Sequence, residues 1–595
     1  MKATDRHKLV DRVKTMEGLT DDERSALLGL LNQTKTYGLV WEDKPEKVEE
    51  RMRTELPVLK EVKSRAIISD NADAPNHILI EGDNLEALTT LAYTHEGRID
   101  VIYIDPPYNT RNKDFSYNDS YVDSEDSYRH SKWLSFMSRR LRIAKRLLSD
   151  RGVIFISIDD NEQANLKILC DDIFGQFCFL GNVIWEKTDS PRMDVKGFYT
   201  RHDYILVYCM KDFVLKRLRQ AEVPAHYNKV DENGKRYYLK PLRLMGGHKS
   251  DSLYYGIQAP DGTMIFPKEK NGENGCWRWS RTKVEAETDR IEILKTKNGW
   301  SVNYRIYAEN LPDMPVSTIW PFSEVGSTRT AKTALTTVIQ QTVFSYPKPN
   351  ELVKRILEIG GDKSSKILDF FAGSGTTLHA VMQLNSEDGG RRQCILCTNN
   401  ENGICENVTY ERNKRVINGY TKPNGEAVEG LHANNLRYYR TDLVSRRRTP
   451  QNMRRLMLLS SDMLCIKENL YTEHDTFGDM QTLENGFRYF SDGKKQMLIV
   501  YNEEAIYGIV DALESMEVTM PIIVYVFSPG NDAWNSEFEG VGDKVRLTAL
   551  PAAIYNAYKR VLPKAKDMLL TPESSPKEKV MTDSLFDFDE EGGVE

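Results

Sequence analysis

Two short runs carry residue types suited to chemistry on a weakly nucleophilic amine, and each directly follows an apolar, strand-like segment. The first is Asp105-Pro106-Pro107-Tyr108, placed after VIYI at 101–104. A turn at the carboxyl end of a strand lies where open α/β sheets bind their ligands. The lone pair of an exocyclic amine on a base is delocalised into the ring, so the amine must be polarised before it attacks. Asp105 can accept one of its N–H bonds, and a prolyl carbonyl held by the stiff Pro-Pro unit can accept the other. That pair draws the nitrogen towards sp³ and frees the lone pair. Tyr108 offers a flat face on which a flipped-out base can stack. Taken alone, Asp-Pro is also a common turn opener, and the four residues would be explained as that.

The second run is Asp369-Phe370-Phe371-Ala372-Gly373-Ser374-Gly375-Thr376-Thr377, again strand into helix. Its glycines permit positive φ and close backbone approach. The helix that follows offers N–H donors and a positive dipole end, suited to a carboxylate. No Lys follows the glycines, which separates the run from a phosphate loop, and the third glycine of a dinucleotide fingerprint is missing.

The elements that must position these runs alternate in type. ILIEGD (78–83), VIYID (101–105), GVIFISID (152–159) and DYILVYCM (203–210) read as strands, with NLEALTTLAY (84–93) and SKWLSFMSRRLRIAKRLLSD (131–150) as helices between them. Strands apolar throughout and separated by helices indicate a parallel sheet covered on both faces. The period breaks after residue 212. Short β-like runs rich in Tyr, Trp and Lys (RYYLKPLRL, SLYYGI, CWRWS) then suggest an inserted β-rich domain. The α/β pattern resumes with ELVKRILEIG, KILDFFAGSGTT, LHAVMQLN and QCILCTN, and MLIVYN and PIIVYVF add strands further on. The expected organisation is a helical segment at 1–75, a first α/β part at 76–212, the insertion at 213–343, a second α/β part at 344–435, a C-terminal α/β domain at 436–563 and an acidic, disordered tail at 564–595. Thr20 is the expected N-cap of a helix in the first segment.

With 595 residues the chain exceeds one hydrophobic core, and 40% hydrophobic with 28% charged residues describes a soluble globular protein. No apolar run reaches the roughly 20 residues that span a bilayer, and the N-terminus has no signal-like stretch, so the expected location is cytoplasmic. The net charge of −7 hides its distribution. The last sixteen residues hold six acids and no base, while the stretch from Lys211 to Asn350 holds 22 basic against 15 acidic residues. A basic middle is compatible with a nucleic-acid partner, because only the contacting face must attract phosphates. Of eight cysteines, Cys394 and Cys397 form one CxxC, but no second pair follows at zinc spacing and Ile395-Leu396 between them read as buried strand, so no metal is expected.

Together, D-P-P-Y and F-x-G-x-G, each at a strand end, resemble the catalytic and cofactor turns of amino-methyltransferases. Gly373 follows Asp105 by 268 residues. That order, with an insertion between, resembles the circularly permuted β class of DNA methyltransferases. YGLVWEDKPE (37–46), EGDNLEAL (81–88), IDPPYNT (104–110), SIDDNE (157–162), FSYPKP (344–349), DFFAGSGTT (369–377) and NENGICENVT (400–409) extend the resemblance to the modification (Mod) subunits of type III restriction-modification systems. The implied fold is a Rossmann-like, doubly wound and mostly parallel α/β sheet with an inserted target-recognition domain. The implied reaction is methyl transfer from S-adenosylmethionine to adenine N6 of double-stranded DNA, with no metal. N4-cytosine methylation, RNA methylation and a non-catalytic DNA-recognition subunit are the rival readings.

Under the resemblance, Asp105, Pro106, Pro107 and Tyr108 form the catalytic turn, with Asp105 an acceptor rather than a full general base, since the proton can leave after methylation. Asp369, Phe371, Ala372, Gly373, Ser374, Gly375, Thr376 and Thr377 form the cofactor turn. Asp83 would contact the cofactor's adenine end, a role compatible with capping the next helix. Lys348 and Pro349 would line its other side. Glu401 would receive the ribose hydroxyls, with Asn399 or Asn400 as alternatives. Arg236, Lys240, Arg243, Arg278 and Arg281 are the candidate DNA contacts, and Trp277 and Trp279 fit a small β core at least as well as they fit stacking. A homodimer and a separate restriction (helicase-nuclease) subunit are the implied partners; SLFDFDEE in the tail is read as a plain solubilising tail, with docking into a basic, apolar pocket on a partner as the alternative.

Overall fold

Ten strands, most of them apolar on both faces, pair into one twisted sheet. The chain is seen in a computed structural model that describes residues 41–562, apart from 111–114, 118–119, 122–125, 191–192, 194–195, 219–222, 245–249, 270–272, 298, 311–312, 342–343 and 531; before residue 41 only residues 12, 13 and 16 are described. The helix expected after Thr20 and the acidic tail from 564 lie outside the described residues.

The strands are β1 (Glu55–Glu61), β2 (Asn76–Glu81), β3 (Ile99–Ile104), β4 (Leu148–Ile158), β5 (Phe179–Glu186), β6 (His202–Cys209), β7 (Ile319–Trp320), β8 (Lys366–Asp369), β9 (Gln393–Thr398) and β10 (Asn435–Ser445). Their order is β1-β10-β2-β9-β8-β3-β4-β6-β5-β7. From β10 to β4 the pairing is parallel throughout. Burial follows the sequence reading: Val101, Ile102, Tyr103 and Ile104 of β3, and Ile367 and Leu368 of β8, are all shielded from solvent. Helices α1 (Asn84–Thr94), α2 (Arg129–Leu147), α3 (Gln163–Phe174), α4 (Thr328–Ile339), α5 (Asn350–Gly360), α6 (Thr376–Asp388), α7 (Glu411–Asn418) and α8 (Pro450–Glu468) accompany the sheet. Among the described residues no helix is long and apolar enough to cross a membrane.

Three sequence expectations are corrected. The run 203–210 was expected to continue the parallel sheet; as β6 it runs antiparallel to both β4 and β5. Apolar alternation reports burial but carries no strand direction, which the connections decide. The insertion was placed at 213–343, but the compact second unit is Leu215–Ser317. The residues that follow rejoin the main sheet, because Ile319 and Trp320 pair in parallel with Ile184 and Trp185 of β5. A boundary at 435/436 falls inside β10, which pairs with β1 and β2. Beyond it, a five-stranded sheet (Glu473–His474, Phe487–Ser491, Gln496–Val500, Ile522–Phe527, Val545–Leu550) belongs to the same contact unit as the main sheet.

The second unit is built on a four-stranded sheet whose longer strands, Arg236–Pro241, Ile291–Thr296 and Gly299–Tyr307, are antiparallel. Leu242, Trp277, Val284, Val302 and Tyr304 form its core.

The core holds fully buried histidines that are neutral. His77 in β2 donates from Nε2 to Asn434 Oδ1 at 2.9 Å and accepts on Nδ1 from the Cys394 N–H at 3.1 Å. Protonation would set a proton against that N–H, and burial lowers the imidazole to about 4. His95 is lowered to about 3 for the same reason. A histidine whose folded value lies below its unfolded value contributes stability that is present above the unfolded value near 6.5 and is lost as pH falls towards the folded one. Acidifying from pH 7 to 5 is therefore expected to cost about 2 kcal/mol per such histidine. Urea unfolding at the two pH values measures this, and His77→Gln should remove one increment. An unchanged pH dependence in that variant would contradict the assignment.

Candidate active site

Because β2, β9, β8 and β3 are adjacent and parallel, their carboxyl ends share one edge. That edge carries, in order, Asp83 after β2, Asn399-Asn400-Glu401 after β9, the glycine turn after β8 and Asp105 after β3. The two runs that sequence separates by 268 residues thus leave neighbouring strands.

The Asp105 turn is held from several sides. Tyr108 OH donates to Asp105 Oδ1 at 2.9 Å, and Lys348 Nζ meets Asp105 Oδ2 at 2.5 Å. Trp133 of α2, fully buried, donates its indole N–H to the Pro107 carbonyl at 2.7 Å. The Pro107 carbonyl is thus already engaged by the indole. Burial, followed by the Asp105 charge, pushes the Tyr108 phenol well up, so it is a neutral donor. The next residue, Asn109, takes a left-handed conformation with φ 55° and is buried. Its amide donates to Glu162 Oε1 at 2.5 Å, an oxygen that His130 Nδ1 also meets at 2.6 Å. Asn109 and Glu162 lie in the IDPPYNT and SIDDNE runs.

The glycine turn is braced from below. Gly373 has φ +50°, and a Cβ there would meet the Phe344 ring at 3.3 Å. Gly375 has φ +72°, and a Cβ there would lie 2.5 Å from Asn413 Nδ2. Thr409 Oγ1 donates to the Gly373 carbonyl at 2.6 Å. Arg412 of α7, only 1% exposed, puts NH1 on the Ser374 carbonyl (3.2 Å) and Thr376 Oγ1 (2.7 Å), and NH2 on Asn350 Oδ1 (2.8 Å). Burial pulls its guanidinium down to about 9. A buried cation beneath the loop joins the amino-terminal end of α6 in favouring an anion. Ala372 N–H is tied to the Cys397 carbonyl at 3.1 Å, which anchors the turn to β9. Asp369 accepts from Phe371 N–H (3.0 Å) and Thr377 Oγ1 (2.5 Å), and burial pushes its carboxyl up to about 7.

Of the other candidate positions, Asp83 caps α1 by accepting from the Leu85 N–H at 2.7 Å, and lies 3.5 Å from Arg140 NH2. Lys348 was assigned to the cofactor's side by resemblance; its ammonium sits on the Asp105 carboxylate, while its carbonyl accepts from Thr376 Oγ1 at 3.3 Å. One residue therefore touches both turns. Pro349 is the N-cap of α5. Asn400 Oδ1 is occupied by the Glu406 N–H at 3.2 Å, whereas Asn399 and Glu401 are exposed. Cys394 and Cys397 are buried within β9. Among the described residues, no group of three or more His, Cys, Asp and Glu is placed to hold a metal ion.

In the second unit Arg236, Arg278 and Arg281 are exposed and Lys240 and Arg243 are half-buried. Within CWRWS it is Arg278 that faces outward; Trp277 is buried and Trp279 packs on Tyr304 at 4.7 Å between ring centroids. Arg243 donates to the Lys268 carbonyl at 2.9 Å, and Arg281 pairs with Glu285 at 3.1 Å.

Sequence reasoning missed Trp133, Arg140, Asn84 and Arg412. Arg140 carried a readable signal, since it falls on the apolar stripe of α2 beside Trp133, Met137 and Ala144. It is 1% exposed, paired with Glu46 at 2.9 Å and hydrogen-bonded to Asn84, whose amide holds the Phe370 carbonyl at 3.0 Å. Arg412 likewise falls at helical spacing between Val408 and Val416, both buried.

Residues 99–417 match the family model for N6 and N4 DNA methylases. The Mod subunit of the type III restriction-modification enzyme StyLTI from Salmonella typhimurium is 34% identical over 359 residues, which is 56% of this chain and 53% of that one. The EcoPI Mod subunit of Escherichia phage P1 is 32% identical over 419 residues, covering 62% of this chain and 64% of that one. The type II methyltransferase M.KpnI of Klebsiella pneumoniae is 33% identical over 367 residues, 59% of this chain and 87% of that one. The match thus spans between about half and two thirds of the two Mod subunits' length. On the family match and the 87% coverage of M.KpnI, the chain belongs to the N6/N4 DNA methylase family.

Proposed function

We propose that this chain methylates adenine N6 at a specific site in double-stranded DNA, with S-adenosylmethionine as donor, as the modification component of a restriction-modification or related defence system. The observation that carries the reading is the juxtaposition of the Asp105-Pro106-Pro107-Tyr108 turn and the Gly373 turn on adjacent parallel strands, bridged by Lys348.

The residues present suit that donor. Gly373 leaves an open cradle beside Phe344, where a Cβ would crowd the ring. The α6 amides over the buried Arg412 suit the amino-acid carboxylate. Glu401 or Asn399 at the end of β9 would take the ribose hydroxyls, and Asp83 the adenine end. When bound, the cofactor supplies an electrophilic methyl on a cationic sulfur. The chain does the rest by placement. Asp105 and the Pro106 carbonyl accept the two amine hydrogens, Tyr108 stacks the flipped base, and the Trp133 bond to Pro107 fixes the turn. The target amine must displace the Lys348 ammonium from Asp105 Oδ2 as it enters.

Adenine is the proposed target and N4 of cytosine the alternative, because the same acceptor pair serves both amines. In this reading the second unit contacts the DNA through Arg236, Lys240, Arg243, Arg278 and Arg281, and the chain acts as a homodimer beside a separate restriction subunit. Type III Mod subunits are the relatives that support the last point. Arg278→Glu is expected to weaken DNA binding about tenfold and to lower the salt slope by about 1, with cofactor affinity unchanged. Titration of labelled duplex at several salt concentrations reads both.

The decisive experiment sequences, with modification detection, plasmid DNA from a methylation-free bacterial host expressing the full chain. N6-methyladenine at one short motif establishes reaction and target. N4-methylcytosine keeps the chemistry and replaces the target. Unmodified DNA despite soluble protein would remove the solitary-enzyme reading, leaving a required partner, an RNA substrate or a DNA-binding role without catalysis.

A further inference from the structure

Glu162 closes the SIDDNE run that follows β4, on the edge that carries Asp105, and nothing in the proposed chemistry uses it. It is the N-cap of α3, yet its side chain makes no capping bond to that helix. The carboxylate turns inward instead: its side chain is 0% exposed, and among the described residues its one charge partner is a histidine. Burial pushes the carboxyl up. A buried carboxylate destabilises a fold unless hydrogen bonds answer it, so its partners say what it is held against. Asn109 Nδ2 donates to Oε1 at 2.5 Å, His130 Nδ1 meets the same oxygen at 2.6 Å, and Asn165 Nδ2 donates to Oε2 at 2.8 Å. Arg129 Nε donates to His130 Nε2 at 3.3 Å, which leaves Nδ1 as the ring nitrogen that donates to Glu162.

Two of these partners lead to the Asp105 turn. Asn109 directly follows Tyr108, and its left-handed φ of 55° is a conformation that asparagine can adopt but does not prefer. His130 stands one helical turn before Trp133 in α2, and the Trp133 indole holds the Pro107 carbonyl at 2.7 Å. Two of the turn's attachments, at Pro107 and at Asn109, therefore trace to one carboxylate. We propose that Glu162 is a positioning residue for methyl transfer: through Asn109 and His130 it fixes the Asp105–Tyr108 turn, without touching base or cofactor itself. The inference rests on the methyl transfer proposed above. Tyr108 OH donates to Asp105 Oδ1 at 2.9 Å, so a shift of Asn109 carries the stacking ring and the acceptor with it. A misplacement of about 1 Å can cost about 100-fold in rate. Glutamine at 162 would keep the shape and lose the function, because its amide NH₂ would face a donor at whichever oxygen position it took.

The test measures single-turnover methylation and cofactor affinity in the full chain. Glu162→Gln should slow methyl transfer about 10- to 100-fold, with cofactor affinity within about twofold of the parent. In an Asp105→Ala background the same substitution should slow it less than about threefold further, since the acceptor it positions is gone; a residue that only stabilises the fold would lower both backgrounds alike. Asn109→Gly keeps the left-handed backbone and removes the amide, so it should reproduce the loss, and it carries the test if Glu162→Gln does not fold. A second readout needs no turnover: 3-fluorotyrosine in place of Tyr108 should give a fluorine resonance that shifts or broadens in either variant. Losses that multiply in full with Asp105→Ala, a rate within about threefold of the parent, or an unmoved fluorine resonance would each overturn the proposal. Should the parent methylate neither adenine nor cytosine, the proposed function fails, and the fluorine resonance alone decides whether Glu162 positions the turn.

Discussion

Replacing Asp105 by alanine is expected to slow methyl transfer about 10³-fold while cofactor and DNA affinities stay within about twofold. The size follows from what the side chain does. In the proposed reaction it is one of two acceptors that polarise the amine, and removing one preorganised electrostatic partner from a water-poor site costs about 10²–10³ in rate elsewhere in enzymology. Here the loss should reach the upper end, because truncation also leaves the Lys348 ammonium, 10% exposed and 2.5 Å from Asp105 Oδ2, without its carboxylate where the amine must sit. Binding should survive, since Asp105 is no part of the glycine turn and the Pro107 carbonyl remains anchored by Trp133. Single-turnover methylation with saturating cofactor, alongside cofactor titration, separates the two quantities. A rate within tenfold of the parent would remove Asp105 from the chemistry. Lys348→Ala in both backgrounds closes a double-mutant cycle, and the two substitutions should be strongly non-additive.

Gly373→Asp is expected to act on the other quantity, weakening the cofactor by about 100-fold or more while the fold persists. Two costs add. A non-glycine residue at φ +50° carries about 1–2 kcal/mol of backbone strain. In the proposed cofactor pose the added carboxylate stands on the turn whose α6 amides face the donor's own carboxylate, so attraction becomes like-charge repulsion. Phe344 at 3.3 Å from the new Cβ limits any escape. Isothermal titration reports the loss. A thermal midpoint within a few degrees of the parent would exclude global unfolding; the half-buried Gly373 would bring its Cβ no closer than 3.3 Å to the Phe344 ring, whereas the Gly375 Cβ would lie 2.5 Å from Asn413. Retained affinity in a folded variant would move the cofactor off this turn.

Features that depend on neighbours a few residues away are legible in the chain before it folds. The apolar runs of β2, β3, β4, β8 and β9 are legible because a strand buried on both faces must be apolar along its length. Both candidate turns are legible because Pro-Pro stiffness and glycine's positive φ act on one or two residues. Asp83 as a helix cap belongs to the same class. The tertiary structure decided everything that joins distant segments. That Lys348, 243 residues after Asp105, ends on its carboxylate depends on β3 and β8 being neighbours. That Arg412 supports the glycine turn depends on where α7 packs, since its spacing from Val408 and Val416 marks a buried face without saying what that face meets. Which residue of CWRWS faces outward was settled by the core of the second unit, since alternation defines two faces without saying which is buried. Strand order, strand direction and the end of the insertion at Ser317 likewise come from packing summed over many contacts. Local periodicity records burial and conformation; it holds no information on which buried segments pair with one another.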